Sequence, residues 1–377
     1  MVSFFTLVSS IGAFIAITVG IIISPLPKQL GFYRFVASKH IPFVGLTPAF
    51  HHGIEWQYTF EELYDYCPQI KGQTALITGA NSGVGFETAR ALAKCGVDIT
   101  MACRNPKRCA AAAEKIKEES KDTGYDNQVV TMTVDTSSLK SVQKFSQEFL
   151  AKNDKKALDM LYLNAGIGST GGSSGGTDEL VLSEDGIELI FATNYVGHHL
   201  MYKLLEPLLL KSKLARIVLT SSAASFDTFE YKVATSIEKL NSATNHDFRL
   251  YGQSKLAQIV WAKHLTKLLG ENSNIYVNAC HPGAVDTFIW EKGDMEYLPS
   301  FVVKFVNYLR RNVMWTTEEG ALTQLFLGVA TDKLVSDNIR GKFYHPQAQE
   351  VVNPLSLDEK LQKDLWEFSD ALVAKFF

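Results

Sequence analysis

Tyr251 and Lys255 stand four residues apart in Tyr251-Gly252-Gln253-Ser254-Lys255, which opens a helical run from Leu256 to Leu269. On a helix this spacing places the two side chains on one face, one turn from each other. A free phenol has a pKa of about 10, too high for a ready base. A neighbouring ammonium stabilises phenolate and lowers that value, so the pair can exchange a proton with a substrate oxygen near neutral pH. Taken alone, Tyr-x-x-x-Lys is common by chance and reads more readily as a solvated helix pair. Its companions give it force. Arg216-Ile217-Val218-Leu219-Thr220-Ser221-Ser222 is a buried-strand pattern ending in hydroxyls. A serine there can donate a hydrogen bond to an oxygen that gains charge. Asn194, in Thr193-Asn194-Tyr195-Val196-Gly197-His198, falls in a helical stretch upstream.

A second constellation lies nearer the start. Thr78-Gly79-Ala80-Asn81-Ser82-Gly83-Val84-Gly85 follows a short apolar run and precedes the helical pattern Phe86 to Lys94. Glycines at 79, 83 and 85 let the backbone turn tightly and approach a pyrophosphate, with the positive end of the next helix aimed at that anion. The spacing differs from the general G-x-G-x-x-G fingerprint. The next apolar run ends in Met101-Ala102-Cys103-Arg104-Asn105, with Lys107 and Arg108 close by. A site for NAD usually carries an acidic side chain there for the ribose 2′-hydroxyl. A guanidinium suits a 2′-phosphate instead, so NADP is favoured over NAD. Asp135-Thr136 and Asn164-Ala165-Gly166 each follow a strand pattern, at the strand ends where open parallel sheets bind ligands.

The elements that must carry these residues are six short runs: 74–77, 97–102, 129–134, 160–163, 216–220 and 275–279. They read as buried strands alternating with amphipathic helices, which predicts an α/β fold with helices on both faces of a parallel sheet. Residues 71–377 form one domain on this reading, and residues 25–70 a connector. Gly168 to Gly176 is a glycine- and serine-rich surface loop. Between Pro282 and Thr316, Leu298, Phe301, Val302, Phe305, Val306 and Leu309 recur at helical spacing, preceded by Phe288, Ile289 and Trp290. Lys304, Asn307, Arg310 and Arg311 take the other face. Such a helix either packs on its own domain or touches a membrane surface and admits a lipid-soluble substrate. Either way this apolar cover suits retinoids, sterols or long-chain carbonyls better than sugars or small hydroxy acids.

Residues 2 to 23 carry no charge, and residues 1–24 are long enough for a bilayer-crossing helix, for which roughly 20 residues are needed. No basic n-region precedes them, and the stretch is not Arg-rich, which argues against a cleaved signal or a mitochondrial presequence. Pro25 and Pro27 end the helix, and Lys28, Arg34 and Lys39 put positive charge on its C-terminal side only. The expectation is a transmembrane or monolayer-anchoring helix in the endoplasmic reticulum or a lipid droplet, with the catalytic domain in the cytosol. The five cysteines are scattered, with no CxxC pair or Cys/His cluster for zinc, and read as reduced thiols. No Asn-x-Ser/Thr sequon is present, which fits a domain kept out of the secretory lumen. A net charge of −3 and the lack of a basic run interleaved with aromatics argue against nucleic acid as a partner.

In order, the chain carries TGANSGVG, NAG, NYVGHH, IVLTSS, YGQSK and HPGAV. That series resembles the short-chain dehydrogenase/reductase family over about four-fifths of the chain. ACRN, NYVGHHLM, TTEEGALTQ and GKFYHP resemble its retinol dehydrogenase and WW-domain oxidoreductase branch. The resemblance implies a Rossmann-type doubly wound sheet and roles by position. Tyr251 is expected as general acid/base, and Lys255 lowers its pKa and holds the nicotinamide ribose. Ser222 polarises the substrate oxygen, and Asn194 holds a water linking Lys255 to solvent. Gly79, Ser82, Gly83 and Gly85 wrap the pyrophosphate, with Val84 in the same turn. Arg104, Asp135 and Asn164 frame the adenosine, and His281-Pro282-Gly283 to Thr287 flank the nicotinamide carboxamide. The chain departs from the family at Thr136, where an apolar residue is usual, in the glycine- and serine-rich insertion, and in a lengthened segment from Ser222 to Tyr251. The expected activity is NADP-dependent interconversion of an apolar alcohol and its carbonyl at a membrane, with reduction favoured in a reducing cytosol. The alternative is a catalytically idle NADP-binding scaffold or redox sensor at the same membrane. An epimerase or dehydratase on the same fold fits the glycine spacing less well. A homodimer is compatible with this reading, and no metal site is expected.

Overall fold

The computed structural model describes residues 60–168, 180–228, 232–242, 247–283, 285, 315–346 and 348–377. The expected anchor at 1–24, the expected connector up to residue 59, the cover helix at 298–309 and Thr287 lie outside them. Among the described residues no helix is long and apolar enough to cross a membrane.

Among the described residues eight strands form one sheet in the order β3-β2-β1-β4-β5-β6-β7-β8. They are β1 (Thr74–Thr78), β2 (Asp98–Cys103), β3 (Val129–Thr133), β4 (Met160–Leu163), β5 (Ala215–Thr220), β6 (Ile275–Cys280), β7 (Phe343–His345) and β8 (Gln349–Val351). All neighbours pair in parallel except β7 and β8, which are antiparallel. The six strands read from sequence are present, with two differences. Three-residue β7 and β8 are too short to show a periodicity. The first of them lies beside β6 by parallel pairing. Strand β3 is not buried as expected: it is the sheet edge, with Val129 buried, Met132 half-buried and its other residues exposed.

Side chains alternate across β1, Leu76 entering one core and Ala75 and Ile77 the other, as the twofold strand period requires. Helices α1 (Gly83–Lys94), α2 (Pro106–Ser120) and α6 (Thr317–Val329) cover the Ile77 face. Helices α3 (Leu139–Lys152), α4 (Gly197–Leu209), α5 (Asp247–Leu269) and α7 (Glu359–Val373) cover the other. This is a Rossmann-like single domain. Leu63, Cys67 and Ile70, from the segment before β1, are buried in its Ile77-side core. Helix α5 starts at Asp247, so Tyr251 sits in its second turn rather than at its opening.

The cysteine expectation is overturned. Cys67 is bonded to Cys95 just after α1, and Cys103 at the end of β2 to Cys109 in α2, while Cys280 remains free and buried. Tertiary folding brings these pairs together, which scattered sequence positions do not show.

Candidate active site

With β1 and β4 adjacent, the sheet changes direction of winding between them, and their carboxyl ends open the crevice where ligands bind in such sheets. The glycine turn lies on one side of that crevice. Gly83 has φ +58°, a left-handed conformation that side chains resist. A Cβ on Gly85 would come within 2.4 Å of Asn164 Nδ2 and 2.6 Å of the Gly79 carbonyl oxygen, so only glycine fits. Ser82 caps α1 without a side-chain hydrogen bond, which leaves the first amide groups of the helix free for an anion. Backbone turn, missing Cβ and free N–H groups together fit a dinucleotide pyrophosphate. Val84 lines the same turn: a Cβ on Gly320 of α6 would touch both Val84 and the Pro282 carbonyl. That contact brings the Pro282-Gly283 turn, after β6, beside the glycine turn.

Asn164 holds the crevice together. Its Nδ2 donates to the Thr78 carbonyl at 2.9 Å and its Oδ1 accepts from Thr220 Oγ1 at 3.4 Å. Asp135, after β3, accepts from the N–H and hydroxyl of Ser137 at 3.0 and 2.6 Å, a local turn that fixes its carboxylate. Arg104, Lys107 and Arg108 are all exposed, and none of their side chains makes an ion pair among the described residues.

On the other side of the crevice, Lys255 Nζ donates to the Thr220 carbonyl at 2.6 Å and lies 5.5 Å from the Tyr251 ring centroid. Tyr251 hydrogen bonds to Ser222, whose Oγ also accepts from the Ala224 N–H at 3.2 Å. Asn194 occupies a π-helical turn, Ala192–Val196, inserted before α4. Its Oδ1 accepts from the Ile167 N–H at 2.8 Å, and its Nδ2 donates to the Ile167 carbonyl and to Ser254 Oγ at 3.0 and 2.9 Å. A Cβ on Gly166 would sit 3.1 Å from Asn194 Oδ1 and 3.4 Å from Lys255 Nζ, so both groups border one spot beside the β4 turn. Asn194, Ser222, Tyr251 and Lys255 thus converge on the crevice that also holds Gly79, Gly85 and Asn164.

The electrostatics depart from the sequence expectation. Desolvation raises the Tyr251 phenol above its ordinary value, and the Ser222 hydrogen bond only partly opposes it. Desolvation pushes Lys255 down to about 7. The spacing predicts an ammonium that acidifies the phenol, but burial penalises both charged forms and dominates. Burial thus holds the phenol toward its neutral form and the amine toward its deprotonated form.

Sequence spacing assigns no role to Thr78, His198 or Gln258, yet all three are fully buried in this network. Gln258 Nε2 donates to the Asn194 carbonyl at 2.9 Å, and His198 bridges that carbonyl to Thr78. The only local signal is that Asn194 and His198 lie one helical turn apart.

The profile of the short chain dehydrogenase family matches residues 73–297. Retinol dehydrogenase 14 of Mus musculus is 33% identical over 312 residues, 81% of this chain and 86% of that protein. The WW domain-containing oxidoreductase of Gallus gallus is 30% identical and is covered over 69% of its length. An uncharacterised protein of Mycobacterium paratuberculosis, solved by crystallography, superposes with a TM-score of 0.57 at 25% identity, over 82% of this chain and 97% of that one. A gluconate 5-dehydrogenase of Beutenbergia cavernae, crystallised with NADP, shares the fold with a TM-score of 0.54 at 19% identity, over 73% of this chain and 94% of that one.

Proposed function

This chain belongs to the short-chain dehydrogenase family and is an NAD(P)-dependent oxidoreductase acting on CH–OH groups, and on that premise we propose that it uses NADP to interconvert an apolar alcohol and its carbonyl. The observation that carries this reading is the cluster in which Asn194 and Lys255 border Gly166 while Tyr251 lies beside Lys255 and hydrogen bonds to Ser222. A scaffold without turnover would have no use for all four.

The nicotinamide, when bound, supplies or accepts the hydride. The chain does the rest. In reduction Tyr251 donates its proton to the substrate oxygen as charge develops there, and its raised pKa keeps it in the protonated form this needs. Ser222 polarises the same oxygen. Lys255 hangs on the Thr220 carbonyl by one hydrogen and keeps its others for the nicotinamide ribose and for proton return. Asn194 has one free lone pair left on Oδ1 to hold a water toward Lys255, since its Nδ2 hydrogens are both engaged. Gly79, Ser82, Gly83, Val84 and Gly85 surround the pyrophosphate, Asp135 and Asn164 frame the adenosine, and Pro282 and Gly283 face the carboxamide.

NADP is preferred because Arg104, Lys107 and Arg108 are free and exposed where β2 ends, and no acidic side chain replaces them at that position. Retinol dehydrogenases among the relatives support a lipophilic substrate. The uncharged residues 2 to 23 support a setting at the endoplasmic reticulum or a lipid droplet. The flanking Lys28, Arg34 and Lys39 favour a cytosolic domain. The two disulfides favour a lumenal one, because such bonds persist in oxidising compartments. Protease protection of the domain in sealed microsomes decides the orientation.

The central test is NADPH oxidation against a panel of lipophilic carbonyls, run beside NADH and beside Tyr251→Phe. The expected result is turnover with NADPH that the Tyr251→Phe substitution cuts by about 10²–10⁴ while NADPH still binds. Unchanged turnover in the variant removes the mechanism, and an NADH preference removes the role of Arg104.

A further inference from the structure

His198 sits at the start of α4, in direct contact with both halves of the crevice. Its Nδ1 is 3.0 Å from the Asn194 carbonyl oxygen and its Nε2 is 3.0 Å from Thr78 Oγ1. All three residues are buried, at 1%, 0% and 0% exposure for His198, Asn194 and Thr78. A carbonyl can only accept, so Nδ1 carries the proton. Burial and the nearby Lys255 lower the imidazole pKa to about 3, so the ring stays neutral and Nε2 is a bare acceptor. It must then take the Thr78 hydroxyl hydrogen. The other acceptor near that hydroxyl, the Tyr162 carbonyl, is farther at 3.3 Å.

With its hydrogen committed to His198, Thr78 Oγ1 turns both lone pairs to the N–H groups of Asn164 and Ala165, at 2.9 and 3.0 Å. Those amides belong to the turn after β4 that packs on Gly79: a Cβ there would be 3.0 Å from Ala165 Cα. One side chain therefore sets the polarity of the hydroxyl that orders the cofactor cradle. The same side chain fixes the carbonyl of the π-helical turn that carries Asn194. That turn reaches helix α5 through Asn194 to Ser254, next to Lys255. Gln258 holds the same carbonyl from α5.

We propose that His198 is a positioning residue that couples the cofactor turn to the catalytic π-helical turn, one ring nitrogen serving each. This rests on the reading of the site given above. The two roles separate by substitution. His198→Asn places an amide nitrogen near the Nδ1 position, keeps the link to Asn194 and drops Thr78. His198→Gln places an amide oxygen near the Nε2 position, keeps the link to Thr78 and drops Asn194.

The experiment measures NADPH binding by nicotinamide fluorescence, together with kcat, KM for NADPH and the thermal midpoint, for wild type, both variants and Tyr251→Phe. Loss of one buried hydrogen bond corresponds to roughly a tenfold effect. His198→Asn is expected to raise the NADPH Kd and KM about tenfold with kcat nearly unchanged, and His198→Gln to lower kcat about tenfold with KM nearly unchanged. Should His198→Asn fail to fold, Thr78→Val removes that link together with the acceptor of the Asn164 and Ala165 amides, and is expected to raise KM at least as much with kcat less affected. Equal losses in kcat and KM that track the thermal midpoint, or no loss in either, overturn the coupling. Inactive wild type, or active Tyr251→Phe, overturns the underlying reading instead.

Discussion

On the β3-β2-β1 side of the crevice, shape is set by the backbone and by covalent bonds. Gly83 and Gly85 make the turn, and both disulfides lie on this side, Cys67–Cys95 fastening the segment before β1 to the end of α1. On the β4-β5-β6 side, position is set by buried polar side chains: Lys255 on Thr220, Asn194 on Ile167 and Ser254, Thr220 on Gln324. The first side can lose a surface charge with little effect on its shape. The second has no such reserve, because a buried polar group left without its partner costs its full desolvation. Cofactor binding suits a rigid backbone cradle, whereas a proton-transfer site needs groups whose orientation and ionisation can be tuned.

If that division is right, damage to the backbone side should show in stability and cofactor affinity and leave the chemical step intact. The largest effect is expected from Cys67→Ser with Cys95→Ser. The bond closes a loop of 28 residues of sequence separation, and its loss should destabilise the domain by about 3 kcal/mol. Denaturant unfolding with and without reductant measures this, and kcat at saturating NADPH should stay near wild type. A variant as stable as wild type would show that the staple is dispensable. Gly85→Ala comes next. The added carbon meets Asn164 and the Gly79 carbonyl, which overpacks the turn by about 2 kcal/mol and should raise the NADPH Kd by roughly thirtyfold. Titration of nicotinamide fluorescence reads it, and an unchanged Kd would mean that the pyrophosphate does not sit on this turn.

The same division explains which features the sequence displays. The glycine turn and the Tyr251–Lys255 pair are local: a few adjacent residues and one helical period define them. Long apolar runs such as Arg216–Thr220 announce buried strands because every side chain in β5 is buried. Strand β7 is silent because three residues cannot show a period, and its place is fixed only by pairing with Ala279 and Cys280. The disulfides are silent because the approach of Cys67 to Cys95 depends on Leu63 and Ile70 docking into a core that sequence does not display. His198 is visible as a letter but not as a bridge, since its partner Thr78 is 120 residues away. The direction of the Tyr251 and Lys255 shifts escapes the sequence for a related reason. Their spacing is local, but the desolvation that shifts them is a sum over the whole surrounding core.

A smaller effect is expected at Arg104, which is exposed. Arg104→Ala should weaken NADPH binding about tenfold, the loss of one charge-assisted contact to a phosphate, and leave NADH binding unchanged. The ratio of the two Kd values is the measurement. Equal weakening of both would place Arg104 on a part common to the two cofactors, such as the pyrophosphate, and no weakening of either would take it out of the site; both results shift the NADP preference to Lys107 or Arg108.

Read per pH unit, the effect at Lys255 is no larger than the one at Arg104, and it most directly probes the polar side. Its amine titrates at about 7 in the folded chain, whereas an unfolded lysine holds its proton to about 10.4. Between those values the unfolded state binds more protons than the folded state, so stability should rise with pH by up to about 1.4 kcal/mol per unit. Below pH 7 both states are protonated and the penalty of the buried charge is complete. Lys255→Met removes the titrating group, so the slope between pH 7 and 9 should vanish and the variant should be the more stable protein at pH 6, though inactive. Urea midpoints at pH 6, 7, 8 and 9 for both proteins test this. An identical pH profile would mean that the folded amine keeps an ordinary pKa, and that Tyr251 faces an ammonium after all.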